Sequence, residues 1–198
     1  MPIDFAAFTA DRRISSRIFL ADDRLSDMLN SVGRIVLRDA MVEDLVDGSP
    51  PVNGDLAVPI GDLVVVVGTG PRGGDTPRRR TVQRQVSVGL GRFVVSGELH
   101  LPADNPSLPD GDDPAVVFAG RDLLVPLTAA TITYDRNNVP QTDEHDAILF
   151  NRARATWIDV QRDAALVAEA GEIDEAMPIG RTARRPTYLK DFTNTVAD

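Results

Sequence analysis

The same weak three-element pattern occurs twice along this chain, in the same order. Arg12–Ala21 (RRISSRIFLA) corresponds to Phe93–Pro102 (FVVSGELHLP), and Ile35–Val42 (IVLRDAMV) to Val125–Ile132 (VPLTAATI). Ala57–Val66 (AVPIGDLVVV) corresponds to Leu149–Ile158 (LFNRARATWI). The stretches alternate or are β-branched, so each reads as a strand or a bent pair of strands. An ordered repeat of short strands restricts the chain to two copies of one small β module, and repeated modules more often bind than catalyse.

The boundaries follow from composition. A first small β module is expected over 1–70, a Gly/Pro/Arg-rich linker over 71–80 and a second module over 81–161. A helix is expected over 162–177 and an extended C-terminal arm over 178–198. A unit of roughly 70 residues buries little more than about 60% of the surface of its unfolded chain, so each is expected to pack against the other.

Within the first module Met1–Ala10 reads as an edge strand or a packing arm, and Arg13–Leu20 as a strand. Leu25, Met28 and Leu29 stand at i, i+3 and i+4, which predicts a short helix capped by Asp22 or Asp23 and ended by Asn30 or Gly33. Arg34–Val46 is again strand-like, and Leu56–Val67 reads as two strands or one bent strand turning at Gly61–Asp62. The uninterrupted run Leu63–Val67 is expected to be covered on both faces. In the second module Thr81–Leu101 is interrupted by glycines and predicts a bent strand or a hairpin through Gly89–Arg92. An acidic proline-rich loop (ADNPSLPDGDDP) follows, then strands at Val116–Phe118 and Leu123–Tyr134 and a polar loop over Arg136–Asp146. Two strands meeting at Asn151–Arg152 span Ile148–Val160, and Ala164–Ala176 forms a helix that Pro178 ends.

Arg24, Leu25, Ser26, Asp27, Leu29 and Asn30, with Asp39, Ala40 and Val42 in the next strand, carry a recognisable pattern. It resembles the central segment of a prokaryotic small-β domain family with an R-L-S-D-x-L-N motif and no assigned activity. Leu101–Pro102, Leu127–Thr128 and Asn151–Arg152 match that family's other elements in the second copy. The resemblance implies a domain type in two divergent tandem copies and supplies no function. Short bent strands with one small helix also look like the small barrels of Sm-like and SH3-like proteins. The expected fold is mostly β: two tandem small β-barrel-like modules, one short helix in the first, and a C-terminal helix plus arm.

Chemistry-bearing patterns are sparse. There is no cysteine, so disulfides, thiolate metal sites and a cysteine nucleophile are excluded. Gly68, Gly70 and Gly73 spell G-x-G-x-x-G after an apolar strand, yet the residues that follow are GDTPRRR and no helix start, so a linker is expected in place of a dinucleotide site. His100 falls on the polar face of its strand, and His145 lies in the acidic run DEHD, whose spacing matches no hard-metal loop. No serine lies in a G-x-S-x-G elbow. Ser26 and Asp27 read as capping or turn-stabilising groups. No catalytic residue, cofactor or metal is therefore expected.

The formal charge of −9 argues against a general phosphate-backbone binder. No apolar run approaches the roughly 20 residues of a membrane span, and the N-terminus does not resemble a signal peptide, so a cytoplasmic location is expected. Two features suit protein contacts. Trp157, the only tryptophan, either replaces Val65 of the first copy as core or, facing outward, anchors an interface. The arm gathers Arg181, Arg184, Arg185, Tyr188, Leu189 and Phe192, a set that can order on a partner surface. The expected function is that of a non-enzymatic scaffold, adaptor or accessory subunit associating with itself or a protein partner. A nucleic-acid-binding small barrel is the alternative, and a small-ligand binder with a pocket between the modules is a third reading.

Overall fold

The computed structural model describes residues 2–20, 24–69, 81–102, 120–160 and 187–188. The expected linker over 71–80, the acidic loop, the strand Val116–Phe118, the helix Ala164–Ala176 and all of the arm except residues 187–188 lie outside the described residues.

The chain is mostly β. Strands β1 (Pro2–Phe8), β2 (Arg12–Phe19), β3 (Arg34–Asp44), β4 (Val52–Pro59) and β5 (Val65–Thr69) make up the first half, with the helix α1 (Leu25–Ser31) between β2 and β3. The second half holds β6 (Thr81–Leu90), β7 (Phe93–Pro102), β8 (Leu124–Arg136), β9 (Val139–Asn151) and β10 (Trp157–Val160). A two-residue strand β11 (Thr187–Tyr188) follows. All join one antiparallel sheet in the order β11-β10-β6-β7-β8-β9-β5-β1-β2-β3-β4. The sheet is open, ending at β4 on one side and β11 on the other.

One strand order recurs in both halves. The first reads β5-β1-β2-β3-β4 and the second β10-β6-β7-β8-β9. In each half a single 3-10 turn, Ile60–Asp62 or Arg152–Arg154, carries the chain from the fourth strand to the fifth. The two halves meet where β5 pairs with β9, through Val65↔Phe150, Val66↔Leu149 and Val67↔Ile148.

The long strands bend at matching points. Pairing of β3 with β4 shifts between Leu37 and Ala40, and Asp39 there takes φ 47°. Pairing of β7 with β8 shifts between Ser96 and Glu98, and Ala129 takes φ 45°. Asp39 and Ala129 stand at the same place in the two aligned stretches Ile35–Val42 and Val125–Ile132. A bulge bends its strand and raises the local twist, which curls each half around its own core. Behind the bulges lie Leu37 and Ala40 in one half and Leu127 and Ala130 in the other, all buried. Gly97 serves the second bend, because a Cβ there would stand 2.9 Å from the Thr128 carbonyl oxygen.

Each core borrows from the other half. One gathers Ile3, Ile14, Leu29, Leu37, Leu63 and Val66 with Leu124 and Leu149 of the second half. The other gathers Val88, Phe93, Leu127, Ile132, Phe150 and Ile158 with Phe8, Leu45, Val65 and Val67 of the first. The run Val65–Val67 divides its side chains by strand alternation, Val66 to one core and its neighbours to the other. This is why it reads as a continuous apolar run and is covered on both faces, as its composition suggests.

Several local expectations hold. The hairpin through Gly89–Arg92 is present, with Gly91 at φ 69° in the turn. The chain turns at Gly61–Asp62 and just after Asn151. Helix α1 forms where its spacing placed it and buries Leu29 completely, but its N-cap is Arg24, with no side-chain cap bond from Ser26 or Asp27, and its C-cap is Val32 in place of Asn30 or Gly33; Asp22 and Asp23 lie outside the described residues. Two further expectations need correction. Met1–Ala10 contributes β1, which lies between β2 and β5 and is no edge. Arg136–Asp146 is no loop: β8 and β9 pair continuously out to Arg136↔Val139, and Asn137 and Asn138 turn the chain at φ 52° and 61°. That pair supplies the two positive φ values a tight hairpin requires. The flanking residues are polar because this end of the hairpin is solvated.

Candidate functional site

Backbone groups at the ends of an open sheet are the part of this molecule that strand pairing leaves unsatisfied. At one end, β4 pairs with β3 alone among the described residues. Gly54, Asp55 and Ala57 are exposed along it and Leu56 is half-buried. The Asp55 carboxylate pairs with Arg38 and accepts from the Asp39 backbone N–H at 3.2 Å, and these bonds hold it below the usual carboxylate range. Two open grooves follow this strand. One of about 490 Å³ is lined by Val42, Pro50, Val52 and Leu56, and one of about 310 Å³ by Ile14, Leu56, Val58 and Pro59. Neither lining contains a histidine; Arg12, Asp44, Ser49 and Asp55 add polar groups to the larger groove, and Val52, 68% exposed, leaves apolar surface in water beside it.

At the other end, β10 pairs with β6 and carries β11 on its outer side, through Trp157↔Tyr188 and Ile158↔Thr187. Trp157 is half-buried and lies over Gly89, where a Cβ would collide with the indole. The ring therefore needs glycine at that register position. Of the residues the sequence singles out for partner binding, Trp157 and Tyr188 are brought together as strand neighbours. Arg181, Arg184, Arg185, Leu189 and Phe192 lie outside the described residues.

Two asparagines that the sequence singles out as motif positions lie at the seam between the halves, a role their sequence did not show. Asn30 on α1 grips the backbone at the start of β8 in both directions: its Nδ2 donates to the Leu124 carbonyl at 3.0 Å, and its Oδ1 accepts from the Leu124 N–H at 2.8 Å. Asn151 is fully buried, donates to the Leu63 and Gly61 carbonyls at 2.7 and 3.3 Å, and accepts from the Ala153 N–H at 3.0 Å. Arg154 also reaches the Gly61 carbonyl, and it pairs with Asp62 at 3.3 Å. Both asparagines tie backbone of one half to backbone of the other.

A second polar group surrounds Phe8, Phe93 and Tyr134, whose rings stand 5.2–6.0 Å apart. Glu43 pairs with Arg136, Arg13 lies 5.7 Å from the Phe8 ring centre, and the Tyr134 hydroxyl donates to Asp143 at 3.1 Å. Burial and the Asp143 charge push the Tyr134 hydroxyl above its ordinary pKa. His145 is held below its ordinary value, first by burial and then by Arg13, against the pull of Asp143. No cluster of His, Cys, Asp and Glu among the described residues could hold a metal ion. His100, on the polar face as expected, stands 2.8 Å from the Thr128 hydroxyl. No helix among the described residues is long and apolar enough to cross a membrane.

No family model matches the chain, and neither a curated protein nor a solved structure does.

Proposed function

We propose that this chain is a non-enzymatic scaffold, adaptor or accessory subunit that acts through protein–protein contacts and is built from two copies of one small, strongly bent β module. The recurrence of the strand order fifth-first-second-third-fourth in both halves supports the two-copy reading, together with the matched bends at Asp39 and Ala129. On this reading each module is a small barrel left open between its fourth and fifth strands, and the pairing of β5 with β9 joins the two.

The observation that carries the function is the open sheet itself. Its end strand β4 presents a pairing edge beside apolar grooves, which suits strand addition by a partner. The acidic balance, −9 overall, favours a protein over a nucleic acid as that partner. Affinity capture from native extract with the full chain tests the reading. A protein recovered in stoichiometric amount is expected, the chain itself included. Recovery of nucleic acid sensitive to nuclease, or of no macromolecule at all, would overturn it.

A further inference from the structure

We propose that the chain associates head to tail with further copies of itself, β4 of one copy pairing with β10 of the next in the register that already joins β5 to β9. This rests on the scaffold reading above and names its partner. The contact in the middle of the chain links the fifth strand of the first half to the fourth strand of the second. Of the five strands in each half, those left outermost are the fourth of the first half and the fifth of the second, the latter carrying only the two-residue β11 on its outer side. The molecule therefore carries, at its two ends, the two sides of a contact it makes once internally.

The sequence repeat fixes the register. Val65, Val66 and Val67 correspond to Trp157, Ile158 and Asp159, and Ile148, Leu149 and Phe150 correspond to Leu56, Ala57 and Val58. Transposing the internal pairs gives Trp157↔Val58, Ile158↔Ala57 and Asp159↔Leu56 between copies. Burial agrees with a contact lacking its other side. All six residues of the internal contact are buried. Of their counterparts, Val58 and Ile158 are buried by their own half, Leu56 and Trp157 are half-buried, and Ala57 and Asp159 are exposed. Apart from the terminal Pro59 and the pairing shift with β3 opposite Asp55, β4 has few of the usual protections of an edge: no lysine, and its one charge, Asp55, is already bound to Arg38. Because the two surfaces differ, each contact leaves one β4 and one β10 free, and assembly proceeds to a ring if the rotation closes or to a filament if it does not.

Two features moderate this contact. Strand β11 lies on the outer side of β10 opposite Trp157 and Ile158, the residues a neighbour must reach, so the arm competes for that edge. Asp159 puts a carboxylate where the internal contact has the methyl groups of Val67, which weakens the contact between chains relative to the one within.

Because the chain has no cysteine, the register can be read by disulfide trapping in the full-length protein. Leu56→Cys and Asp159→Cys, made in separate copies and mixed under mild oxidation, should yield a disulfide-linked dimer, and the double variant a ladder, because paired Cα atoms lie about 5.5 Å apart. Sedimentation velocity should show mass rising with concentration. Asp159→Val, and separately Thr187→Pro with Tyr188→Pro to strip β11 of its N–H donors, should each tighten self-association by roughly tenfold, the worth of one or two strand hydrogen bonds. A full-length chain that stays monomeric with both sets of variants overturns the proposal. A dimer trapped by Leu56→Cys alone also overturns it, because that product reports symmetric β4–β4 pairing. Capture of a different protein from extract would leave the scaffold reading standing in either case, so the two failures are separable.

Discussion

Removing the side chain of Asn151 should loosen the seam between the halves by an amount that can be worked out from its bonds. Asn151→Ala orphans the Leu63 carbonyl and the Ala153 N–H, which Asn151 bonds at 2.7 and 3.0 Å. The Gly61 carbonyl keeps the guanidinium of Arg154 and costs little. Two buried or half-buried groups without partners, at about 1–1.5 kcal/mol each, give a loss of about 2–3 kcal/mol. With a urea dependence of about 2 kcal/mol/M, the unfolding midpoint should fall by about 1–1.5 M. Trp157, the single tryptophan and half-buried over Gly89, provides the fluorescence signal. Asn151→Asp should cost more near neutral pH, about 3–5 kcal/mol, since it places a carboxylate against carbonyl oxygens. Burial raises the pKa of that new carboxyl, so its penalty is fully present above the folded pKa and shrinks as acid protonates it. An Asn151→Ala midpoint within about 0.3 M of the parent would refute the assignment of the seam to this residue, because the loss would then be no more than about 0.6 kcal/mol.

Other outcomes follow from single positions. His145 has a folded pKa below its ordinary 6.5, so the unfolded chain takes up a proton that the folded chain refuses. Stability should therefore decline as pH falls through 6.5 towards the folded value, with no contribution from this residue above both. Urea midpoints at pH 7.5, 6.5 and 5.5 should show a shallower decline for His145→Asn, and an equal decline would refute the attribution. Gly97→Ala should destabilise by about 1–3 kcal/mol, since its Cβ meets backbone at 2.9 and 3.1 Å; thermal unfolding reads this directly. Ala129→Gly should act in the opposite direction, stabilising by roughly 0.5 kcal/mol, because at φ 45° the relief of left-handed strain slightly exceeds the entropy glycine adds to the unfolded chain. Phe93→Ala should cost about 3–5 kcal/mol by emptying the space between Phe8 and Tyr134, measured by urea titration.

Alternation and turn residues made most strands readable. Thr81–Leu101 announced a hairpin because glycines interrupt a period-2 pattern, and Leu25, Met28 and Leu29 announced α1 because three apolar residues share one helical face. The β8–β9 end was misread for a physical reason: solvated strands there carry polar side chains on both faces, which lowers the contrast that alternation depends on. Asn137–Asn138 was the available signal, since asparagine tolerates the positive φ that a two-residue turn imposes. Asn30 and Asn151 stood out as motif positions, but nothing in the sequence signalled which backbone each would bond. Each bonds backbone about ninety residues away, with a separation of 94 for Asn30 to Leu124 and 88 for Asn151 to Leu63.

What the sequence by itself determined is most of the strands and the apolar residues that fill the cores, because side-chain periodicity records which face of a strand is buried. It also determined that Val65–Val67 is covered on both faces, because no residue of that run is polar. Only the tertiary structure decided that β5 joins β9 and that β4 is left at an end of the sheet. Strand edges pair through N–H and C=O groups that every residue but proline carries alike, so the choice of neighbour is written in the path of the chain and not in its side chains.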